Sequence, residues 1–180
     1  MIFTETFLKG AFIIDIKKIE DNRGFFARTW CRKEFIDHQL DVESAQYSIS
    51  YNKVKGTLRG MHFQIAPHEE TKIVRCTRGK IYDVIIDLRK DSSTYQAYFG
   101  VELSAQNYRM LYVPKGFAHG FITLEDNTEI FYQISGFYAP GAARGIRWDD
   151  PAFGIEWPIQ PIVLSEKDKN YQNFDERVLS

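Results

Sequence analysis

The chain has 180 residues, with 23 Lys plus Arg against 24 Asp plus Glu and a formal net charge of −1. Hydrophobic residues make up 44% and charged residues 26%. That balance excludes a disordered chain and advertises neither nucleic acid nor an anionic membrane, so any phosphate-binding site must be local. One domain spanning residues 1–180 is expected, large enough to bury a sizeable core. The sequence contains no apolar run of signal-peptide or transmembrane type. Cys31 and Cys76 stand isolated without metal-type spacing, which predicts buried free thiols and a cytoplasmic location. The aromatic content is high at 15%, with 14 Phe and 10 Tyr. Such residues favour strands and also supply flat faces on which bases or sugars stack.

In chain order, the first helix candidate is Arg32 to Leu40, where Phe35, Ile36 and Leu40 would share a face. A strand is expected from Leu58. Ile81–Leu88, Phe99–Leu103, Arg109–Val113 and Thr128–Ile134 are short, rich in β-branched and aromatic residues, and partly alternating. Turn residues punctuate them at Arg78-Gly79, Lys90–Ser93, Pro114–Gly116, Glu125–Asn127 and Ala139–Gly141. Ser165-Glu-Lys-Asp168 has the form of a helix start. Many short strands without βαβ alternation predict an all-β sandwich or barrel with a few short helices.

Chemistry concentrates in a few places. If Leu58 begins a strand, period two puts Leu58, Gly60, His62 and Gln64 on one face, and Arg59 joins them only if a bulge at Gly60 turns it inward. Gly56-x5-His62-x-Gln64 and Pro114-x-Gly-x-x-His119 resemble the two half-motifs of the cupin superfamily, a jelly-roll barrel. Metal-binding cupins usually offer a second His where this chain has Gln64. An amide oxygen is a poor ligand for borderline ions, so a metal held by His62, His119 and Glu69 or Glu70 is the minor alternative and none is expected. Lys72 enters an apolar strand, where a half-buried cation can neutralise an oxyanion. Tyr132 fits a core or stacking role as well as a chemical one. Asp168 sits three residues after Ser165, where a capping acid belongs, although it could also orient a histidine.

Seven segments in order carry a closer resemblance: Asp21-Asn-Arg-Gly-Phe-Phe26, Leu58–Gln64, Lys72–Arg75, Asp83–Arg89, Pro114–Phe121, Trp148-Asp-Asp-Pro151 and Leu164–Asp168. From about Ile13 to Asp168 the chain resembles the dTDP-4-dehydrorhamnose 3,5-epimerases, the RmlC-type cupins. The resemblance implies cofactor-free epimerisation at C3 and/or C5 of a nucleotide-linked 4-keto-6-deoxyhexose. It places the chain in dTDP-rhamnose, O-antigen and lipopolysaccharide biosynthesis. It implies His62 as base, Asp168 as its orienter, Lys72 beside the enolate oxygen and Tyr132 as the opposed acid. Arg23 and Arg59 would clamp the diphosphate, Phe26 and Tyr138 sandwich the base, His119 line the sugar-phosphate pocket, and Gln46 lie on the nucleotide-contact strand. A homodimer is implied, with the segment around Arg23 and Phe26 reaching into the partner's site.

Three positions depart from the family pattern: Arg28 replaces a Glu, Ser48 an Asn, and Glu70-Thr71 the usual Gln-Gly. The family Glu accepts from the thymine N–H, which a donor-only Arg cannot do. Cytosine presents acceptors there, so Arg28 opens a CDP-linked sugar as the alternative to dTDP. The other function classes are a metal-dependent cupin enzyme and a sugar-nucleotide-binding cupin without catalysis. The joint presence of His62, Lys72, Tyr132 and Asp168 favours the epimerase, since binding needs no opposed acid and base, and Tyr132 also fits inversion better than ketoisomerisation.

Overall fold

The computed structural model describes residues 1–179; Ser180, the last residue of the expected domain, lies outside them. Two antiparallel sheets dominate. The larger runs β1 (Ile2–Glu5), β2 (Phe12–Asp15), β10 (Met110–Val113), β7 (Lys72–Arg78), β12 (Thr128–Ile134), β5 (Gln46–Asn52). The second runs β13 (Ala143–Gly145), β6 (Leu58–Gln64), β11 (Phe117–Thr123), β8 (Lys80–Asp87), β9 (Tyr98–Ser104). A separate hairpin pairs β3 (Lys18–Asp21) with β4 (Gly24–Ala27). Helices are short, α1 (Arg32–Asp37) and α2 (Glu166–Lys169), with a 3₁₀ turn at Glu176–Leu179. The expected all-β architecture is what forms, and the four strands singled out in the sequence form within a residue or so of their expected ends.

Alternation explains where the sheets meet. Val74, Cys76, Leu111, Val113 and Ile130 of the larger sheet pack on Ile81, Ile85, Leu103, Phe117 and Phe121 of the smaller. Each such side chain contributes roughly 1.5–3 kcal/mol on leaving water. The opposite parity on the smaller sheet, Met61, Phe63, Val84, Ile86 and Ala118, is covered by Ile146, Phe153 and the residues that follow. One face of this sheet is thus left to line the barrel interior, and chemistry placed at interior parity is held rigidly.

Two expectations need correction. The first helix ends at Asp37, and Ile36 is 53% exposed. Leu40 is buried not by helical period but by a reversal: Gln39 takes φ 59° and the Leu40 N–H closes onto the Phe35 carbonyl at 2.9 Å. Cys76 is buried as expected, whereas Cys31 is half-buried at the start of α1; both are free thiols.

Candidate active site

The β6–β11 pairing sets up the site. His119 opposes His62, but Phe121 opposes Arg59, so β6 carries one extra residue between them. The irregularity falls at Gly60, where φ is +127° and a Cβ would stand 2.6 Å from the Gly120 Cα. Only glycine tolerates both the backbone and the approach. The bulge brings Arg59 onto the same cavity as His62, and its Nε donates to Asn52 Oδ1 at 2.8 Å.

Asp168 arrives from α2. Ser165 caps that helix by accepting from the Asp168 N–H at 3.0 Å, yet the Asp168 carboxylate turns away to bond His62 Nε2 at 2.7 Å. The acid therefore serves the histidine rather than closing a capping box. Burial alone would raise its carboxyl, but the His62 hydrogen bond and charge, with the Gly60 N–H, outweigh that and hold it below the usual carboxylate range. An ionised Asp168 keeps the hydrogen on Nε2 and leaves Nδ1 as the ring nitrogen that can take a proton. The imidazole is 44% exposed and the carboxylate 5%.

The opposing sheet supplies a cation and a phenol. Lys72 shares its parity with Val74 and Cys76, and Tyr132 with Ile130, so both face the barrel interior. Lys72 Nζ lies 2.7 Å from Glu70 Oε1, with the two side chains 14% and 11% exposed. Tyr132 packs against the interior core and edge-on to His119, ring centroids 6.1 Å apart. Burial first, and then the Asp83 charge, push its phenol above the ordinary value, so it holds its proton at neutral pH. His119 itself does not wall the open cavity: it is 7% exposed and bonded through Nε2 to the fully buried Asp83 at 2.8 Å. Burial raises the Asp83 carboxyl, with the His119 charge opposing.

A cavity of about 580 Å³ opens beside these groups, walled among others by Arg59, His62, Gln64, Lys72, Tyr138 and Asp168. Gln46 Oε1 accepts from the Tyr138 N–H at 2.8 Å, which ties the Tyr138 segment to β5. Ser48 opposes Tyr132 directly and so projects from the same face of the sheet. Arg23, Phe26 and Arg28 are not brought to this cavity within one chain. Arg23 is bidentate to Asp21 and Phe26 is 72% exposed. Arg28 bonds Glu34 Oε1 at 3.0 Å. Three of the four donors in the minor metal-site reading have another partner: Asp168 for His62, Asp83 for His119, Lys72 for Glu70. Among the described residues, no group of three or more His, Cys, Asp or Glu is arranged to hold a metal ion.

The sequence pattern of the family described as dTDP-4-dehydrorhamnose 3,5-epimerase matches residues 5–176. The chain belongs to that family. It is 40% identical over 173 residues to the dTDP-4-dehydrorhamnose 3,5-epimerase of Shigella flexneri, covering 94% of each chain. The crystal structure of the epimerase from Elizabethkingia anophelis NUHP1 superposes with a TM-score of 0.94 at 37% identity, covering 97% of this chain and 96% of that one. The epimerase of Bacillus anthracis str. Ames, solved with TDP and PPi bound, superposes at 0.92 with 38% identity, covering 96% of this chain and 98% of that one. This epimerase-family chain is therefore an isomerase built on the cupin barrel. Polar cavity residues to which the sequence assigned no role include Arg144, Lys167 and Tyr171. Tyr171 lies edge-on to His62 at 5.9 Å and occupies the space a side chain at Gly145 would need, 2.1 Å from its Cβ position. No local pattern marks it; the register of Gly145 opposite His62 does.

Proposed function

We propose that the protein inverts C3 and/or C5 of a dTDP-4-dehydro-6-deoxyhexose without a cofactor, as one catalytic domain in deoxysugar and polysaccharide biosynthesis. His62 Nδ1 takes the C–H proton alpha to the 4-keto group, and the bond's electron pair moves onto the keto oxygen. Lys72 stabilises the enolate oxygen, and Asp168 stabilises the imidazolium. Tyr132 delivers its proton to the carbon from the other side as the enolate electron pair returns to form the C–H bond. The imidazolium then releases its proton to water and water reprotonates the phenolate, which restores both groups. The observation that carries this reading is the placement of an Asp-oriented histidine on one sheet and a half-buried tyrosine, facing the interior, on the sheet opposite. Arg59, Tyr138, Gln46, Ser48 and His119 bind or frame the nucleotide sugar on this reading.

Arg23 and Phe26 act in the site of a second copy, in a homodimer. The exposed Phe26 at 72%, with Tyr47 at 61% and Ile49 at 62% on the outer face of β5, supports such an interface. We take the base as thymine: TDP is bound in the Bacillus anthracis relative, and the Arg28 guanidinium that motivated cytosine is engaged by Glu34. Free thiols fit a cytoplasmic setting, and no described helix is long and apolar enough to cross a membrane.

The test is NMR of dTDP- and CDP-4-keto-6-deoxyglucose in heavy water. Wild type should exchange solvent deuterium into C3 or C5 of the dTDP sugar, and His62→Ala should not. Exchange by His62→Ala at the wild-type rate removes the base assignment, and preferential turnover of the CDP sugar reverses the nucleotide.

A further inference from the structure

One buried hydrogen-bond chain joins the Lys72 end of the cavity to the segment carrying Tyr138. Ala139 N–H donates to Gln64 Oε1 at 2.7 Å, which fixes which way this 6% exposed amide points. Its Nε2 must then face acceptors, and it does: the His68 carbonyl at 2.9 Å, the Phe137 carbonyl at 3.3 Å and Glu70 Oε2 at 2.9 Å. Glu70 Oε1 receives Lys72 Nζ at 2.7 Å. Residue 70 therefore stands between two donors. A carboxylate satisfies both, whereas an amide would turn its NH₂ toward one of them. Gly136 packs directly against this point, its Cβ position 3.2 Å from the Glu70 Cβ.

We infer that Glu70 is a positioning residue: through Gln64 and Lys72 it couples the placement of the 136–139 segment to the placement of the ammonium group at the reacting oxygen. The inference rests on the reading of Lys72 and Tyr138 given above. Two consequences of the carboxylate oppose each other. Its negative charge weakens the field that Lys72 exerts on an enolate, while its geometry holds a flexible four-carbon stem in one arrangement. Holding wins here because Lys72 and Glu70 are both nearly buried, so an unpaired Lys72 would move to recover solvation.

The experiment is a double-mutant cycle with kcat and KM for the dTDP-4-keto sugar and calorimetric Kd for dTDP alone. Glu70→Gln should lower kcat about tenfold and weaken dTDP about threefold, and Gln64→Leu should weaken dTDP about fivefold as the 137–139 contacts are lost and also lower kcat about threefold through Glu70 and Lys72. In a Lys72→Ala background, Glu70→Gln should change residual turnover by less than about twofold, a silence that a merely structural role would not produce. Glu70→Asp keeps both acceptor oxygens on a shorter arm and should recover part of the lost kcat, which preserves the test if Glu70→Gln folds poorly. A Glu70→Gln enzyme at or above wild-type kcat, or an equal loss in both backgrounds, overturns the coupling. Lys72→Ala turning over like wild type would instead remove the role given to Lys72, a separate failure.

Discussion

Two histidines, each bonded to an aspartate, stand side by side in direct register across β6 and β11, and the two pairs differ in almost everything but residue type. His62 is 44% exposed and its aspartate comes from a distant helix; His119 is 7% exposed and its aspartate comes from the neighbouring strand. The first carboxyl is held below its ordinary range by its partner, and the second is raised by burial. On the proposed reading, the comparison teaches that a base has to be supplied with both a charge partner and an opening. The same two residue types, sealed, become part of the framework beside Tyr132, whose phenol is pushed up by burial first and by the Asp83 charge second.

Four tests would break or sharpen this contrast. The largest effect is expected at His62→Ala, a loss of kcat on the order of 10²–10⁴, measured by epimerisation rate. A comparable loss from His119→Ala with no change in stability would erase the distinction between the pairs. Next, Gly60→Ala drives a Cβ against the Gly120 backbone and forces a non-glycine residue into φ +127°. Its expected cost is about 2–4 kcal/mol in urea unfolding, because the clash is with backbone that cannot yield.

The third test uses pH, comparing each wild-type stability with that of its Asp→Asn variant. Asp168 is depressed in the fold, so its stabilisation is present above the unfolded value of about 3.9 and fades as pH falls through the lower folded value. Asp83 is raised, so its contribution is full below about 3.9 and fades as pH rises through the folded value. Urea melts between pH 3 and 7 should give opposite slopes; parallel slopes would mean the two carboxyls share one environment. The smallest effect is expected at Gly145→Ala, which pushes Tyr171 off His62. A severalfold drop in kcat with about 1 kcal/mol of lost stability is anticipated, read from kinetics and a thermal melt.

Much of this site could be read from the chain because its geometry follows strand parity. His62 and Gln64 share a face by period two, Lys72 follows Val74 and Cys76 inward, and Gly60 announces its own bulge. Residues whose position depends on long-range closure were not legible. Tyr171 meets His62 only because the chain after α2 passes over Gly145, and neither residue sits in a recognisable spacing. Glu70 was visible as an unusual residue before Lys72, but not as the acceptor demanded by a Gln64 amide that a loop backbone orients. Arg28 shows another gap: its Glu34 partner six residues later could not be read from the chain, because it depends on how the short turn between β4 and α1 brings the helix back beside it.

The bond between His62 and Asp168 spans 106 residues of sequence. Every strand of both sheets precedes, in the chain, the residue that orients the imidazole. All the strands can thus be specified without Asp168, and on the reading proposed above the group that directs the base is contributed by a short helix outside both sheets, so the scaffold and the orientation of its base are encoded in separate stretches of the chain.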